Sequence, residues 1–308
     1  MASILSKAKI AANSGGRPPA AVEIAPEGIL AAALPGPGQP PVYAFQALPP
    51  GSLLPGIGEP NLRAPESIAA AIRSALDQVS PRSRSVTVIL PDTVVRVFVL
   101  DFDSLPPKTA EAFPILRFRL RKMVPFDVEH AGISYQVLSE TKTECKVLAA
   151  VIPGPILAEY EAAVRAAGYE PGSVLPASLA ALEASDSARE LDAVMGANLS
   201  AIALTTFIMS GSNLLLYRTV DLPLDPALRA DEVQRGIAVA AAYFEDKLLV
   251  RPTRLHYAGI GAAPDFARVI ADPEIEVVDL APRPETGATT ALGNLSIAPL
   301  AGALAGAR

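Results

Sequence analysis

Residues 85–138 read SVTVILPDTVVRVFVLDFDSLPPKTAEAFPILRFRLRKMVPFDVEHAGISYQVL, and the rest of the chain is parsed around them. The apolar run Val86–Leu90, bounded by Pro91 and Asp92, predicts a buried strand ending in a turn. Val95, Val97 and Val99 alternate with Arg96 and Phe98, the period of two that marks a second strand. Asp103 or Ser104 is placed to cap a following helix, with Pro106 and Pro107 in its first turn and an end near Met123. That helix carries the basic cluster Arg117, Arg119, Arg121 and Lys122. After a turn at Val124–Asp127, residues Ile133–Leu138 predict a third strand. Strand, helix and strand in so short a span is a module inserted between two larger pieces.

Upstream, residues 1–19 offer little to bury and are expected to be loosely ordered. Ala20–Ala25 and Gly28–Leu34 predict a hairpin, its type I turn set by Pro26 at the second position and Gly28 at the fourth. Val42–Leu48 predicts a third strand, and Pro65–Val79 a helix with Ile68, Ile72, Ala75, Leu76 and Val79 on one face. The strand at 86–90 follows that helix, so parallel pairing with an earlier strand is expected. Downstream come a strand at Lys146–Ile152 and a helix at Pro155–Ala167 stopped by Gly168. A helix at Ala177–Ala184 then leads to the polar break Ser185-Asp186-Ser187, the expected domain boundary.

Beyond that break the outline repeats. Strands are predicted at Asp192–Met195, Ser200–Met209 and Leu214–Asp221, then a long helix over Asp225–Leu249. A strand at Thr253–Ala258, a helix at Asp265–Ala271, a strand at Ile275–Leu280 and a last helix at Pro299–Ala307 complete the chain. The expected organisation is one domain over 20–184, with the inserted subdomain at about 92–168, and a second over 190–308. At 308 residues each half is long enough to bury its own core.

Half of the residues are hydrophobic and only 19% are charged, but no apolar run reaches the 18 residues of a membrane-spanning helix. The first twenty residues lack the apolar core of a secretory signal. A formal net charge of −6 argues against nucleic acid as a partner. The single cysteine, Cys145, excludes an internal disulfide and reads as buried packing in a strand. Neither His130 nor His256 has metal-ligand spacing around it, so no metal site is expected.

The central stretch resembles the type IV pilus assembly protein family PilM. Leu90-Pro91, Arg96–Leu100, Leu105-Pro106, Val124-Pro125-Phe126, Glu129 and Tyr135–Leu138 match that family's segments in order. Gly168-Tyr169-Glu170-Pro171 followed by Val174 and Pro176, and the apolar ending Leu295–Arg308, are similar to it too. The resemblance implies an α/β fold (α+β by some schemes) of the actin-like ATPase type. That fold has two RNase H-like domains, with a small subdomain inserted in the first. It also implies a scaffold at the cytoplasmic face of the inner membrane, whose partner is the tail of a PilN-like single-span protein resembling Ile-Asn-Leu-Leu-Pro. In that family the tail lies between the first domain's main body and the inserted subdomain. Val95, Val97, Phe98 and Val99 are then the candidate partner-binding residues, with Phe98 first and a core-facing Phe98 as the alternative. Self-association is left open.

Actin-like enzymes hold nucleotide phosphates between two hairpins and adenosine near a Gly-rich turn. Such a site needs close backbone N–H groups, carboxylates that organise Mg²⁺, and a hydroxyl or Lys on the phosphate. In place of the family's first motif, Asp-Ile-Gly with a later Lys, this chain has Glu23-Ile24-Ala25-Pro26-Glu27-Gly28-Ile29-Leu30. Pro26 removes a donor, no Lys follows, and Glu27 sets a negative charge where phosphate would lie. Like charges about 4 Å apart repel by roughly 4 kcal/mol at an effective dielectric of 20. In the second motif Gly196 and Ser200 are kept, but Val194 replaces the Asp. Gly259 and Gly261 flank Ile260 where a third glycine belongs. Gly196, Ser200, Gly259 and Gly261 are therefore read as a vestigial cofactor cleft. No catalytic residue is assigned, no cofactor is expected, and ATP with Mg²⁺ is expected to bind weakly at most. The alternatives are a working actin-like ATPase or kinase, and the cytoplasmic protein of L type from type II secretion.

Overall fold

A computed structural model describes residues 16–36, 38–58, 60–184, 193–211, 213–281 and 295–307. Strands β1 (Ala20–Ala25), β2 (Gly28–Ala33) and β3 (Val42–Ala47) form an antiparallel meander. Strand β4 (Ser85–Leu90) joins β1 in parallel, and β8 (Glu170–Pro176) joins β4 in parallel, giving the order β3-β2-β1-β4-β8. The alternation of strand side chains divides two cores. Val22, Ile24, Val86 and Val88 meet helices α1 (Pro65–Val79) and α3 (Gly154–Ala166) through Ile68, Ile72, Tyr160 and Val164. Ala21, Ile89 and Leu175 meet α4 (Ala177–Leu182) and the last helix, α7 (Ala298–Ala305), through Ala180, Leu300 and Leu304.

The placement of α7 corrects the domain limits read from the sequence, which gave everything from 190 to 308 to the second half. Six of its eight residues are buried, so it needs cover on more than one side. The pocket between α4 and the first sheet supplies that cover. Gly302 allows the crossing, because a Cβ there would lie 1.8 Å from the Ala180 carbonyl oxygen. The N-terminal segment is likewise less loose than its composition suggests from residue 16 onward, while residues 1–15 lie outside the described residues. Arg17 donates its main-chain N–H to Gly306, and its guanidinium holds Glu183 through two contacts of 2.5 and 2.6 Å in buried surroundings.

The inserted subdomain is tighter than 92–168. Its sheet is β5 (Arg96–Phe102), β7 (Cys145–Ile152) and β6 (Gly132–Glu140) in the antiparallel order β5-β7-β6. The strand expected to follow the module is thus its central strand, with Cys145 buried at its start. Helix α2 (Thr109–Leu120) covers one face through Ala112, Leu116 and Leu120. It starts well after Asp103 because each proline of the Pro106-Pro107 pair drives the preceding residue out of the helical region. Helix α3 packs on α1 and belongs to the first domain's core.

The second half repeats the first sheet. Strands β9 (Ala193–Leu199), β10 (Ala203–Ser210), β11 (Asn213–Asp221), β12 (Arg254–Gly259) and β13 (Glu276–Asp279) take the order β11-β10-β9-β12-β13. Helices α5 (Pro226–Leu248) and α6 (Ala263–Ile270) cover one face, through Val233, Ile237, Phe244 and Phe266. Asp225 starts α5 by accepting the Ala227 and Leu228 N–H groups, with Pro226 at the first helical position. The other face of this sheet turns to the first domain, where Val194, Phe207 and Met209 meet Leu179, Leu182 and Leu148. The expected boundary Ser185–Ser187 and the residue Asp192 lie outside the described residues.

Candidate functional site

The two hairpin turns face each other across the gap between the sheets, and strand ends supply the rest of the lining. Glu23, Glu27, Asp92, Asn198, Ser200 and Ile260 line a cavity of about 50 Å³, together with Leu295 and Pro299. Pockets that hold a drug-sized ligand run to roughly 300–1,000 Å³.

Glu27 crosses the gap. The Ala201 N–H donates to its Oε1 at 3.0 Å, so a first-hairpin carboxylate takes the main-chain donor at the tip of the second. Arg229 on α5 grips the same turn from behind, donating to the Ser200 and Ala201 carbonyls at 2.7 and 2.5 Å. The Ser200 hydroxyl is engaged within its own turn, accepting from the Ile202 and Ala203 N–H groups at 3.3 and 3.0 Å.

Behind the cavity sits a polar hub. Asp92 follows β4 in a short 3₁₀ turn (Asp92–Val94) and is buried. Its Oδ1 accepts from the Ser178 N–H and the Tyr217 hydroxyl, both at 3.0 Å. Its Oδ2 accepts from the Thr205 hydroxyl at 3.0 Å, from Asn198 Nδ2 at 3.4 Å, and from the Ser178 hydroxyl in a short contact. Asn198 also donates to Ser178 Oγ at 3.0 Å. One carboxylate therefore collects donors from α4, β9, β10 and β11. Burial pushes its carboxyl above the usual range, against the hydrogen bonds from Ser178, Thr205 and Tyr217, which pull it down. Burial and the same carboxylate push the Tyr217 phenol well above its ordinary value.

Glu23, on β1 between the two other carboxylates, has its carboxyl raised to about 8 by burial first, then by the charges of Glu27 and Asp92. At neutral pH it is held mostly protonated, so the three acids do not stand as three charges.

The sequence-derived site residues separate in this geometry. Ser200 and Gly259 line the cavity, whereas Gly196 and Gly261 do not. Gly196 lies mid-strand beneath Phe207, whose ring atoms would be 2.1 Å from an added Cβ, so it makes room for an aromatic ring rather than a phosphate. Gly259, at φ +122°, lets β12 cross close to Leu199, whose carbonyl would be 2.1 Å from a Cβ. Val194 is buried among Phe207 and Met209. Asp92, Asn198 and Arg229 were missed. The available signal was Asp92's position just past the carboxyl end of a parallel strand, where open α/β sheets place site residues.

The partner-binding set also separates. Val95 is buried in the first domain's core. Val97 and Val99 pack against the interdomain cluster of Leu148, Leu179 and Phe207. Phe98 packs against the subdomain core beneath α2. Val95 is therefore removed from the expected groove walls, while Val97, Phe98 and Val99 are half-buried. The strand remains an edge strand, paired among the described residues with β7.

No family model matches the chain, and no curated protein matches its sequence. Its architecture, two five-stranded sheets of one order facing a cleft with a subdomain inserted in the first half, is an actin-like fold. Solved structures agree. A chain of a PilM–PilN type IV pilus biogenesis complex is similar over 94% of this chain and 98% of its own, with a TM-score of 0.69 at 20% identity. The cytoplasmic domain of EpsL, an inner-membrane component of the type II secretion system of Vibrio cholerae, is similar over 87% and 89%, with a TM-score of 0.50 at 15% identity. A Bacteroides thetaiotaomicron protein with an actin-like ATPase fold reaches 0.50 at 11% identity, over 84% of this chain and 90% of its own. No helix among the described residues is long and apolar enough to cross a membrane.

Proposed function

We propose that the chain is a non-enzymatic scaffold in type IV pilus or related secretion assembly, holding the tail of a PilN-like inner-membrane protein. The observation that carries this reading is the bond from the Ala201 N–H to Glu27. A donor suited to a phosphate oxygen already holds a carboxylate of the chain itself. The residues at hand do not fit Mg²⁺ and a triphosphate: Val194 offers no ligand, Glu23 is held mostly neutral, and about 50 Å³ is far too little space. The likeness to a chain of a PilM–PilN complex supports the choice of partner.

The tail is placed along the outer edge of β5, the side not paired with β7, between the first domain and the subdomain. Strand addition draws affinity from main-chain hydrogen bonds and leaves only alternate side chains to be buried. Two or three aliphatic anchors at roughly 25 cal/mol per Å² supply several kcal/mol before ordering costs, and with the main-chain hydrogen bonds added this supports micromolar rather than picomolar binding. The test is a labelled peptide containing Ile-Asn-Leu-Leu-Pro, titrated by fluorescence anisotropy beside an ATPase assay. Micromolar binding with hydrolysis at the buffer rate is expected. Hydrolysis above the blank that disappears in Ile260→Trp, at an unchanged melting temperature, would replace the scaffold with an ATPase.

A further inference from the structure

Helix α2 is apolar on two opposite faces. Ala112, Leu116 and Leu120 point into the subdomain core, at the spacing of one helix stripe. On the far side Ile115 and Phe118 are 39% and 63% exposed, and Met123, just past the helix end, is 40% exposed. The inward stripe alone accounts for folding, so the outward one needs its own reason. Isolated surface hydrophobics are ordinary, but a phenyl ring one turn from an isoleucine forms a ridge.

The charges around this ridge run against the rest of the molecule. Residues 108–122 carry five cations, Lys108, Arg117, Arg119, Arg121 and Lys122, against the single carboxylate of Glu111, in a chain of formal net charge −6. Glu129 pairs with Arg117 at 3.5 Å and closely with Arg121, and Lys108 pairs with Glu111 at 3.2 Å. These pairs are exposed and readily exchanged. Among the described residues no carboxylate pairs with Arg119 or Lys122, and the Lys122 ammonium lies 5.2 Å over the Phe118 ring. At about 100° per residue, Arg119 and Arg121 fall on opposite flanks of the Ile115–Phe118 ridge.

We infer that this face of α2 docks directly on an anionic lipid surface. Phe118 and Ile115 enter the boundary between headgroups and acyl chains, while Arg119, Arg121 and Lys122 reach lipid phosphates along their own aliphatic stems. The shape favours a plane over a protein groove. The ridge is convex, has an aromatic ring at its centre, and carries cations on both flanks. The inference stands without the peptide partner, since every residue it uses lies in one helix and the turn after it.

The experiment floats the full chain with vesicles of phosphatidylcholine alone, and with one-third phosphatidylglycerol, at low and high salt. Binding to the anionic vesicles only, weakening with salt, is expected. Arg119→Glu with Lys122→Glu should lower the partition coefficient by at least about thirtyfold, taking about fivefold for each cation lost. Phe118→Ser should lower it about tenfold. All three side chains are exposed, so melting temperatures should not move. Equal flotation with neutral lipid, or unchanged flotation of the charge-reversed protein, overturns the inference. So does failure to float at low salt, and capture on polyglutamate beads in that case would assign the face to an acidic protein instead.

Discussion

The two large sheets have one strand order and opposite dependence. The first is covered on both faces by helices, and all six residues of its β2 are buried. The second has helices of its own on one face only, yet seven of the eight residues in the matching strand, β10, are buried as well. Its other face is finished by parts of the first half: α4, the subdomain strand β7, and the carboxylate of Asp92. A duplicated topology therefore does not mean two independent domains. The first sheet carries its own core, and the second takes half of its cover from the first.

The harshest way to break that arrangement is Asp92→Ala. It removes the shared acceptor of Ser178, Asn198, Thr205 and Tyr217, leaving Asn198 only its bond to Ser178 and Thr205 only its bond to Thr219. Removing one partner from a buried charged network costs about 3–5 kcal/mol. Urea unfolding should fall by that much and split in two, with signals from Tyr217 and Tyr257 on the second sheet lost first. A single transition moved by less than about 1 kcal/mol would mean that the second sheet holds its inner face unaided.

The sequence carried the layers well and the interface badly, for a physical reason. Periodicity reports which side of an element is apolar, so Ile68, Ile72 and Leu76 placed α1, and the hairpin at Pro26-Glu27 fell where turn chemistry put it. Periodicity does not say which partner an apolar element meets. That is why α7, buried nearly all round, belongs to the other half from the one its position in sequence suggests, and why Val95 sits in a core rather than on an outward face. The cleft was half legible. Departures from a phosphate-binding pattern were visible at Glu27 and Val194, but nothing local indicated that Glu27 reaches Ala201. Gly196 misled because a glycine opposite a phenyl ring and a glycine opposite a phosphate read the same in sequence.

A second substitution sharpens the comparison through pH. Glu23 has a folded pKa of about 8 against an ordinary 4.5. The folded state therefore binds more protons than the unfolded chain between those values, and its contribution to stability falls as pH rises from about 4.5 to 8. By pH 7 the loss is about 3 kcal/mol. Glu23→Gln keeps the shape and removes the titration, so it should be more stable than the parent at pH 7–8, with the gap closing toward pH 5. Melting curves across that range decide it. A parallel pH dependence in both proteins would place the proton elsewhere.

The smallest effect belongs to Glu27→Gln. The amide oxygen still accepts the Ala201 N–H, so the contact between the hairpins survives and only its charge is lost. A charge-assisted hydrogen bond is roughly twice as strong as a neutral one, which sets the direct cost at about 1 kcal/mol. Acting the other way, Glu27 is the largest charge raising the Glu23 carboxyl, after burial. Removing it relieves that repulsion only where Glu23 ionises, toward pH 8, so the net loss should stay at about 1 kcal/mol through neutral pH and shrink as pH approaches 8. The more telling readout is the Glu23 carboxyl itself, followed by carbon chemical shift: its midpoint should move down toward the ordinary range while Asp92 holds its hydrogen bonds. If the midpoint stays near 8, burial and Asp92 set it, and Glu23 and Glu27 do not communicate across the hairpin.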